Sequence, residues 1–234
     1  MKLFTTLFLL SIINLYSIYG INGMNVKQAK AGTLNDDIQD FKNILLAKSD
    51  ELIELFGKYF AVDEQFRKDI QIFYGEEMKQ LIKIIDGIPE FEQFVDYLYV
   101  NGVDEIYAHV ALLHEVLNIP LPPFIQEHLP KTNKKCNKIK REAPPSIDKP
   151  GLNGFLENAL KLIDVEALLN LYNQKLETSE PFQKLVEYLK SEKMLVIVRT
   201  VRNDQNYQKI VQSAIAVGID VNRITEILHK LFGW

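Results

Sequence analysis

The stretch that decides the fold is Phe91 to Leu117, FEQFVDYLYVNGVDEIYAHVALLHEVL, because residues 207–232, YQKIVQSAIAVGIDVNRITEILHKLF, repeat its plan. In both copies an amphipathic helix pattern runs into a Gly, an apolar residue follows, and an Asp precedes a second helix pattern. Gly tolerates the left-handed conformation that ends a helix, and an Asp carboxylate accepts the free amides that begin one. The two junctions, at residues 102–104 and 218–220, therefore predict a duplicated supersecondary unit.

The duplication extends well beyond these junctions. A shift of 116 positions pairs Phe66 with Phe182 and keeps apolar residues in register, without a gap, as far as Asp104. A shift of 114 pairs Phe41 with Phe155. Apolar character recurs at spacings of three, four and seven, which is the pattern that lets a helix bury one face.

Two tandem repeats follow from this pattern, at residues 36–118 and 148–234. Each contains six short helix patterns, and no stretch has the alternation typical of a strand. Ser or Asp, the residues that best cap a helix N-terminus, stands before nearly every pattern. The predicted caps are Ser49, Asp63, Asp104, Asp148, Asp164, Ser179, Ser191, Asp204 and Asp220. We therefore predict an all-α fold in which the two repeats form one globular unit of twelve helices.

Three segments lie outside the repeats. Residues 1–20 combine one Lys, a short apolar run and a terminal Gly, which is typical of a secretory signal peptide, and residues 21–35 are a flexible leader. Residues 119–147 are rich in Pro and carry a basic run, which predicts an exposed linker. The single cysteine, Cys136, lies there and excludes an internal disulfide. The basic run around residues 140–141, Lys-Arg, is a solvated spacer, a proteolytic site or a patch that docks on an acidic surface.

Composition excludes several functions. A net charge of −4 argues against a nucleic-acid partner, and beyond the signal peptide no segment is apolar enough to span a membrane. Four His and one Cys give no metal-ligand set, and the motifs of phosphate loops and nucleophile elbows are absent. His114 and His229 occupy equivalent positions, which indicates a duplicated packing or capping role. We predict a protein that is not an enzyme, with no catalytic residue, metal or cofactor.

Aromatic and aliphatic residues on nearly every helix are the remaining signal. Such stripes usually form a packed core, and periodicity alone does not distinguish a filled interior from a hollow one.

A family resemblance bears on that choice. The pair Asp40-Phe41, Tyr59 four residues before Asp63, the opening Pro-Glu-Phe at residues 89–91 and the Gly-Val/Ile-Asp junction resemble the insect allergen-related repeat. That family includes a cockroach midgut allergen, midgut microvillar proteins and nitrile-specifier proteins. The resemblance implies a twelve-helix shell around an apolar cavity that holds fatty acids or phospholipid. The sequence departs from the pattern at residues 206–207, where Asn-Tyr stands in place of Glu-Phe.

The resulting hypothesis is a secreted lipid- or fatty-acid-binding protein of the insect digestive tract, in the gut lumen or at the microvillar surface. Its alternatives are a nitrile-specifier-like detoxification factor and a structural protein of the gut microvillar lining. Helix faces and repeat equivalence give the following candidate cavity-lining residues: Phe41, Leu45, Leu52, Phe56, Phe66, Ile70, Phe94, Leu98, Val110, Leu113, Phe155, Leu168, Phe182, Val198, Ile210, Ile224 and Leu228. The oligomeric state and the identity of the lipid do not follow from the sequence.

Overall fold

The computed structural model describes residues 32–128, 147 and 149–234. In these ranges the chain forms thirteen α-helices and one short 3₁₀-helix, and no strand. Six of the α-helices belong to each repeat and one lies between the repeats, so the predicted all-α fold of six plus six helices is confirmed. The predicted signal peptide, nearly all of the leader, Cys136, the Lys140-Arg141 pair and the predicted cap Asp148 lie outside the described residues.

The helices follow one another with short connections. The first repeat contains α1 (Leu34–Leu46), α2 (Ser49–Val62), α3 (Glu64–Asp69), a 3₁₀-helix (Ile70–Phe73), α4 (Glu76–Asp86), α5 (Pro89–Val100) and α6 (Ile106–Leu117). The short helix α7 (Pro123–Gln126) comes next. The second repeat contains α8 (Gly151–Leu162), α9 (Val165–Thr178), α10 (Glu180–Leu189), α11 (Glu192–Asn203), α12 (Gln205–Ala216) and α13 (Val221–Phe232).

The two Gly-x-Asp junctions share the way in which they end a helix. Gly102 and Gly218 both have positive φ, at 94° and 84°. The residue after each Gly donates its amide back to the preceding helix, Val103 to the Leu98 carbonyl and Ile219 to that of Ala214. This is the bonding of a Schellman motif, so the prediction of a repeated helix end is confirmed.

The junctions differ in how they begin the next helix. The Asp220 side chain accepts the amide of Arg223 at 3.0 Å and caps α13 as predicted. Asp104 does not cap α6, because an extra turn intervenes and the helix begins only at Ile106. The predicted caps Ser49 and Ser191 are wrong too: Ser49 is itself the first helical residue of α2, and the Ser191 hydroxyl accepts no amide. Side-chain caps are present at the other described positions: Asp63, Asp164, Ser179 and Asp204.

The first helix of each repeat packs on the other repeat. Helix α8, the first of repeat two, packs on α2 and α3 of repeat one, while α1 packs on α9 and α10 of repeat two. The fourth and fifth helices are exchanged in the same way, since α4 packs on α12 and α5 packs on α11. This reciprocity is that of a twofold interface in which the same surfaces meet from both sides. Many of the contacts between helices are therefore contacts between the two repeats.

The segment predicted as linker starts with ordered packing. Helix α7 lies inside residues 119–147, and its Ile125 is fully buried. Ile125 forms a cluster with Val95 of α5 and Tyr107 of α6. Helix α7 therefore packs against the first repeat, although it lies in the segment between the two repeats.

Candidate functional site

The candidate cavity-lining residues converge mainly on one apolar cluster. Its buried members come from both repeats, and half-buried apolar side chains pack around them. Eleven of the seventeen candidates belong to it: Leu45, Leu52, Phe56, Phe66, Ile70, Leu113, Phe155, Leu168, Ile210, Ile224 and Leu228. We call this set and its neighbours the main cluster.

The other six candidates lie elsewhere. Leu98 and Phe94 belong to a cluster with Leu34 and Val103, and Val110 packs against the cluster around Ile125. Phe41 and Phe182 stack on each other across the repeats, with ring centroids 5.4 Å apart. Val198 is half-buried on α11.

Burial divides the candidates into two classes. The eight buried ones are Leu52, Phe66, Ile70, Leu98, Phe155, Phe182, Ile210 and Ile224. The other nine are half-buried: Phe41, Leu45, Phe56, Phe94, Val110, Leu113, Leu168, Val198 and Leu228. Five of the nine contact the main cluster and still keep accessible surface, and they come from five different helices. Helix α9 has no buried residue at all, although its Leu168 contacts the main cluster.

One part of the interior is filled by side chains. We call the contact of α8 with α2 and α3 the α8 junction. There Phe66 and Phe155 lie 5.1 Å apart between ring centroids, and Phe56 and Tyr59 contact both of them at 5.4 to 5.9 Å. Each of these four rings packs against at least two of the others, and Phe66, Phe155 and Tyr59 are at most 1% exposed. This junction is a packed aromatic core.

The polar groups of the α8 junction are satisfied by hydrogen bonds across the repeats. Asp63 accepts the Gly151 amide at 2.6 Å, and Asp69 accepts the Leu152 amide at 2.8 Å. Both carboxylates thus sit at the N-terminus of α8, where free amides and the helix dipole favour negative charge. Gly151 has φ +79°, and a Cβ there would stand 2.9 Å from the Asp69 carboxylate, so Gly is required for the close approach.

The Tyr59 hydroxyl completes this polar layer. It donates to the Lys149 carbonyl at 2.9 Å and accepts the Asn158 side-chain amide at 2.8 Å. A Cβ on Gly154 would lie 2.1 Å from the same Lys149 carbonyl oxygen, which fixes Gly at that position. The start of α8 is therefore held tightly against α2.

The equivalent contact at the other side of the molecule is polar. We call the contact of α1 with α9 and α10 the α1 junction. The Lys175 ammonium lies 2.8 Å from Asp37 and 2.5 Å from Asp40, and the Ser179 hydroxyl donates to Asp37 at 2.5 Å. Asp37 is only 2% exposed. The hydrogen bond to Asp37, with a further contribution from that to Asp40, raises the pKa of Lys175. The ammonium therefore stays charged across the neutral range.

A cleft of about 550 Å³ opens beside this ion pair. It is lined by Gly32, Asp36, Asp37, Asp40, Lys175, Thr178, Ser179, Glu180 and Pro181. The Asp37 and Asp40 carboxylates are taken by Lys175, and Asp36 forms a capping box with Thr33. The lining offers an acyl chain little apolar surface, so this cleft does not match the predicted ligand.

His114 is the buried histidine of the first repeat. Its Nε2 lies 2.8 Å from Asp86 and its Nδ1 lies 2.9 Å from the Val110 carbonyl. Burial lowers the pKa of His114, but the hydrogen bonds to Asp86 and Val110 outweigh it and the net shift is upward. With both nitrogens engaged, the imidazole ties α6 to the end of α4 and has no free nitrogen for proton transfer. The equivalent His229 is exposed and bonds the Trp234 carbonyl, so the two histidines share a position but not an environment.

The described ranges offer neither a metal-binding cluster nor a helix suited to span a membrane. No group of three His, Cys, Asp or Glu residues there is placed to hold a metal ion. None of the helices in those ranges combines the length and apolar character needed to cross a membrane.

Two tyrosines stand out that the sequence did not single out. The hydroxyl oxygens of Tyr97 and Tyr188 are buried and have no hydrogen-bond partner in the described chain, and the same holds for the Ser191 hydroxyl. At helix positions with apolar neighbours a Tyr is indistinguishable from a core aromatic, so periodicity carried no signal for them.

Comparison of the sequence with known proteins identifies a family and a relative. The profile of the insect allergen-related repeat, described together with nitrile-specifier detoxification, matches residues 33–225. The chain belongs to the insect allergen-related repeat family. It is also similar to Protein G12 of Anopheles gambiae, with 23% identity over 202 residues that cover 86% of this chain and 88% of that protein. The resemblance inferred from the sequence motifs is thereby confirmed.

Proposed function

We propose that this member of the family binds the acyl chains of fatty acids or phospholipids against the half-buried part of its main cluster, and that it acts by binding rather than catalysis. The observation that supports the proposal is the set of five apolar side chains that contact the main cluster and keep accessible surface: Leu45, Phe56, Leu113, Leu168 and Leu228. They come from α1, α2, α6, α9 and α13, and so from both repeats.

The energetics of an acyl chain suit such a surface. Burial of a methylene is worth about 0.8 kcal/mol, so ten methylenes gain about 8 kcal/mol before association costs are subtracted. No particular polar geometry is needed for that gain. A site of this kind accepts different acyl chains and discriminates mainly by length.

Two substitutions on adjacent residues of α9 test the proposal. Leu168 contacts the main cluster, whereas Leu169 is 49% exposed. Leu168→Asp places a charge on the proposed binding surface and should reduce uptake of palmitate by at least tenfold, while Leu169→Asp should leave it unchanged. Fatty-acid binding is measured by displacement of a fluorescent probe, and co-purified lipid by mass spectrometry of an organic extract.

A second variant separates binding from folding. Leu168→Trp keeps the surface apolar and adds volume, so it should shift the preference toward shorter chains without loss of the folded state. Wild-type protein that carries no lipid and takes up no fatty acid contradicts the proposal. If such protein instead changes the product ratio of a thioglucosidase reaction, the activity named in the family description takes its place.

The location of the protein is part of the same proposal. Secretion after removal of residues 1–20, into the insect gut lumen or onto the microvillar surface, is expected from the signal-peptide pattern. Expression in insect cells followed by N-terminal sequencing of the medium should find a chain that begins near Ile21. Retention of an intact N-terminus inside the cell would contradict it.

A further inference from the structure

The Tyr97 and Tyr188 side chains meet at the boundary between the repeats. Tyr97 lies on α5 and Tyr188 on α10, and their rings stack with centroids 4.3 Å apart and planes 27° apart. Both residues are half-buried, yet both hydroxyl oxygens are fully covered. The hydroxyl ends therefore point into the protein and the accessible surface belongs to the rest of each residue.

Neither hydroxyl has a partner among the described residues. This is unusual, because most buried side-chain polar atoms in folded proteins make at least one hydrogen bond. Phenols are common in cores, but the hydroxyl of a buried Tyr usually finds an acceptor. Two unpaired hydroxyls on stacked rings mark a place where a hydrogen-bond acceptor would be bound.

The surroundings of the pair are apolar. The Phe94 ring lies 5.6 Å from that of Tyr188. Tyr97 packs against the cluster of Leu34, Leu98 and Val103, and Tyr188 packs against that of Ile88, Met194 and Ile197. An acceptor bound here would have hydrocarbon neighbours, which suits an oxygen at the end of an acyl chain.

Charge near the pair selects the kind of acceptor. Burial raises the pKa of both tyrosines, so the phenols are neutral donors at physiological pH. Lys184 and Glu187 lie close enough to affect the pKa of Tyr97, and Asp96 and Glu90 affect that of Tyr188. These three carboxylates outnumber the single ammonium, which is itself paired with Glu180 at 2.7 Å. An anionic headgroup is therefore disfavoured relative to an uncharged oxygen.

We propose that the hydroxyls of Tyr97 and Tyr188 bind the ester carbonyl at the head of an acyl lipid whose chain lies against the neighbouring apolar residues. The site rests on the proposed binding of acyl chains, lies beside clusters other than the main cluster, and adds a headgroup preference. It predicts that acyl esters bind in preference to ionised fatty acids.

The test compares three ligands of equal chain length at pH 8: methyl palmitate, palmitate and hexadecane. Their binding is followed by displacement of an uncharged fluorescent probe from wild type, from Tyr97→Phe, Tyr188→Phe and the double variant, and from Tyr99→Phe. Tyr99 is the matched control, since it lies on the same helix and is 41% exposed. The ester should bind wild type about tenfold more tightly than the alkane or the anion, and the double variant should lose that advantage without a change in hexadecane binding. Tyr99→Phe should behave as wild type.

Other outcomes overturn the site in distinguishable ways. Equal binding of ester and alkane by wild type, or an ester preference that survives in the double variant, removes the anchor but leaves acyl-chain binding intact. Tighter binding of palmitate than of its ester refutes the preference for an uncharged head. Failure of wild type to bind any of the three refutes the anchor and the proposed function together. The Phe variants should unfold at the same temperature as wild type or higher, because they remove unpaired hydroxyls without changing ring shape, and a lower temperature would show that the hydroxyls are satisfied by other means.

Discussion

The α8 junction and the α1 junction are formed by equivalent helices. They share a pair of packed phenyl rings but differ in their polar contacts. The repeat shifts pair Phe66 with Phe182 and Phe155 with Phe41. Each junction accordingly contains one stacked or tilted phenyl pair, Phe66 with Phe155 at 5.1 Å and Phe182 with Phe41 at 5.4 Å. The duplicated contact has kept this pair on both sides of the molecule.

The polar layer around the phenyl pair has changed. The shift of 116 places Lys175 where the first repeat has Tyr59, and Ser179 where it has Asp63. Tyr59 makes neutral hydrogen bonds to α8 and its approach, whereas Lys175 makes an ion pair with Asp37 of α1. Shape is thus preserved between the repeats, while the means of satisfying polar groups is free to differ.

The largest expected effect concerns the phenyl pairs themselves. Phe155→Ala should destabilise the protein by about 4 kcal/mol, because Phe155 is 1% exposed and its loss leaves a cavity among three other rings. Phe41→Ala, at the equivalent but half-buried position, should cost about 2 kcal/mol. Urea unfolding followed by circular dichroism measures both. Equal losses would show that the two junctions are packed alike.

Next in size is the ion pair of the α1 junction. Lys175→Met leaves the buried Asp37 without a counter-charge and should cost about 3 kcal/mol. The double variant Lys175→Met/Asp37→Leu should recover most of that loss, since an apolar pair can replace a buried ion pair. Lys184→Met is the control, because its pair with Glu180 is exposed and should contribute little to stability. A double variant as unstable as the single one would contradict this account.

Smaller losses of stability are expected at the two capping residues that also bond across the repeats, Asp63 and Ser179. Asp63 caps α3 and also accepts the Gly151 amide, so Asp63→Ala should cost about 2 kcal/mol. Ser179 caps α10 at 3.4 Å, and Asp37 keeps its Lys175 partner when the hydroxyl is removed. Ser179→Ala should therefore cost about 1 kcal/mol. Thermal unfolding of both variants in one buffer ranks them, and the opposite order would mean that Asp37 depends on the hydroxyl.

The smallest effect is a pH dependence in the first repeat. The folded-state pKa of His114 is raised, so the stability that its pair with Asp86 contributes is fully present below about pH 6.5, the ordinary His value, and is lost as pH rises through the raised value. The stability difference between wild type and His114→Gln should therefore be larger at pH 5.5 than at pH 8, by about 1 kcal/mol or less. His229→Gln, at the equivalent exposed position, is the control. A stability difference between wild type and His114→Gln that grows with pH would contradict the raised pKa of His114.

Much of this fold could be predicted from the sequence. Apolar periodicity and the Gly-x-Asp junctions gave the number of helices and their division into two repeats, because these are local properties of the chain. The caps were less predictable. Asp104 and Asp220 follow the same motif, but a turn before Ile106 separates Asp104 from its helix. Local sequence does not encode such a one-turn offset.

The interior was less accessible to sequence reasoning. Periodicity identifies which residues face inward, but not which of them meet a side chain from the other repeat, as Phe66 meets Phe155. The partnership of Asp37 with Lys175 depends on the exchange of first helices, which no local pattern shows. The unpaired hydroxyls of Tyr97 and Tyr188 likewise became visible only when the burial and hydrogen bonds of each oxygen were known.

The exchange of first helices has a consequence for biosynthesis. A nascent first repeat leaves the ribosome with the faces of α2 and α3 that surround Phe66 uncovered, and these remain so until α8 has been translated. A first repeat released alone would present that face together with an unattached α1, and a second copy could satisfy both by the same reciprocal contacts. We therefore expect an isolated repeat to pair with a second copy about a twofold axis, in the arrangement that the two repeats have in this chain.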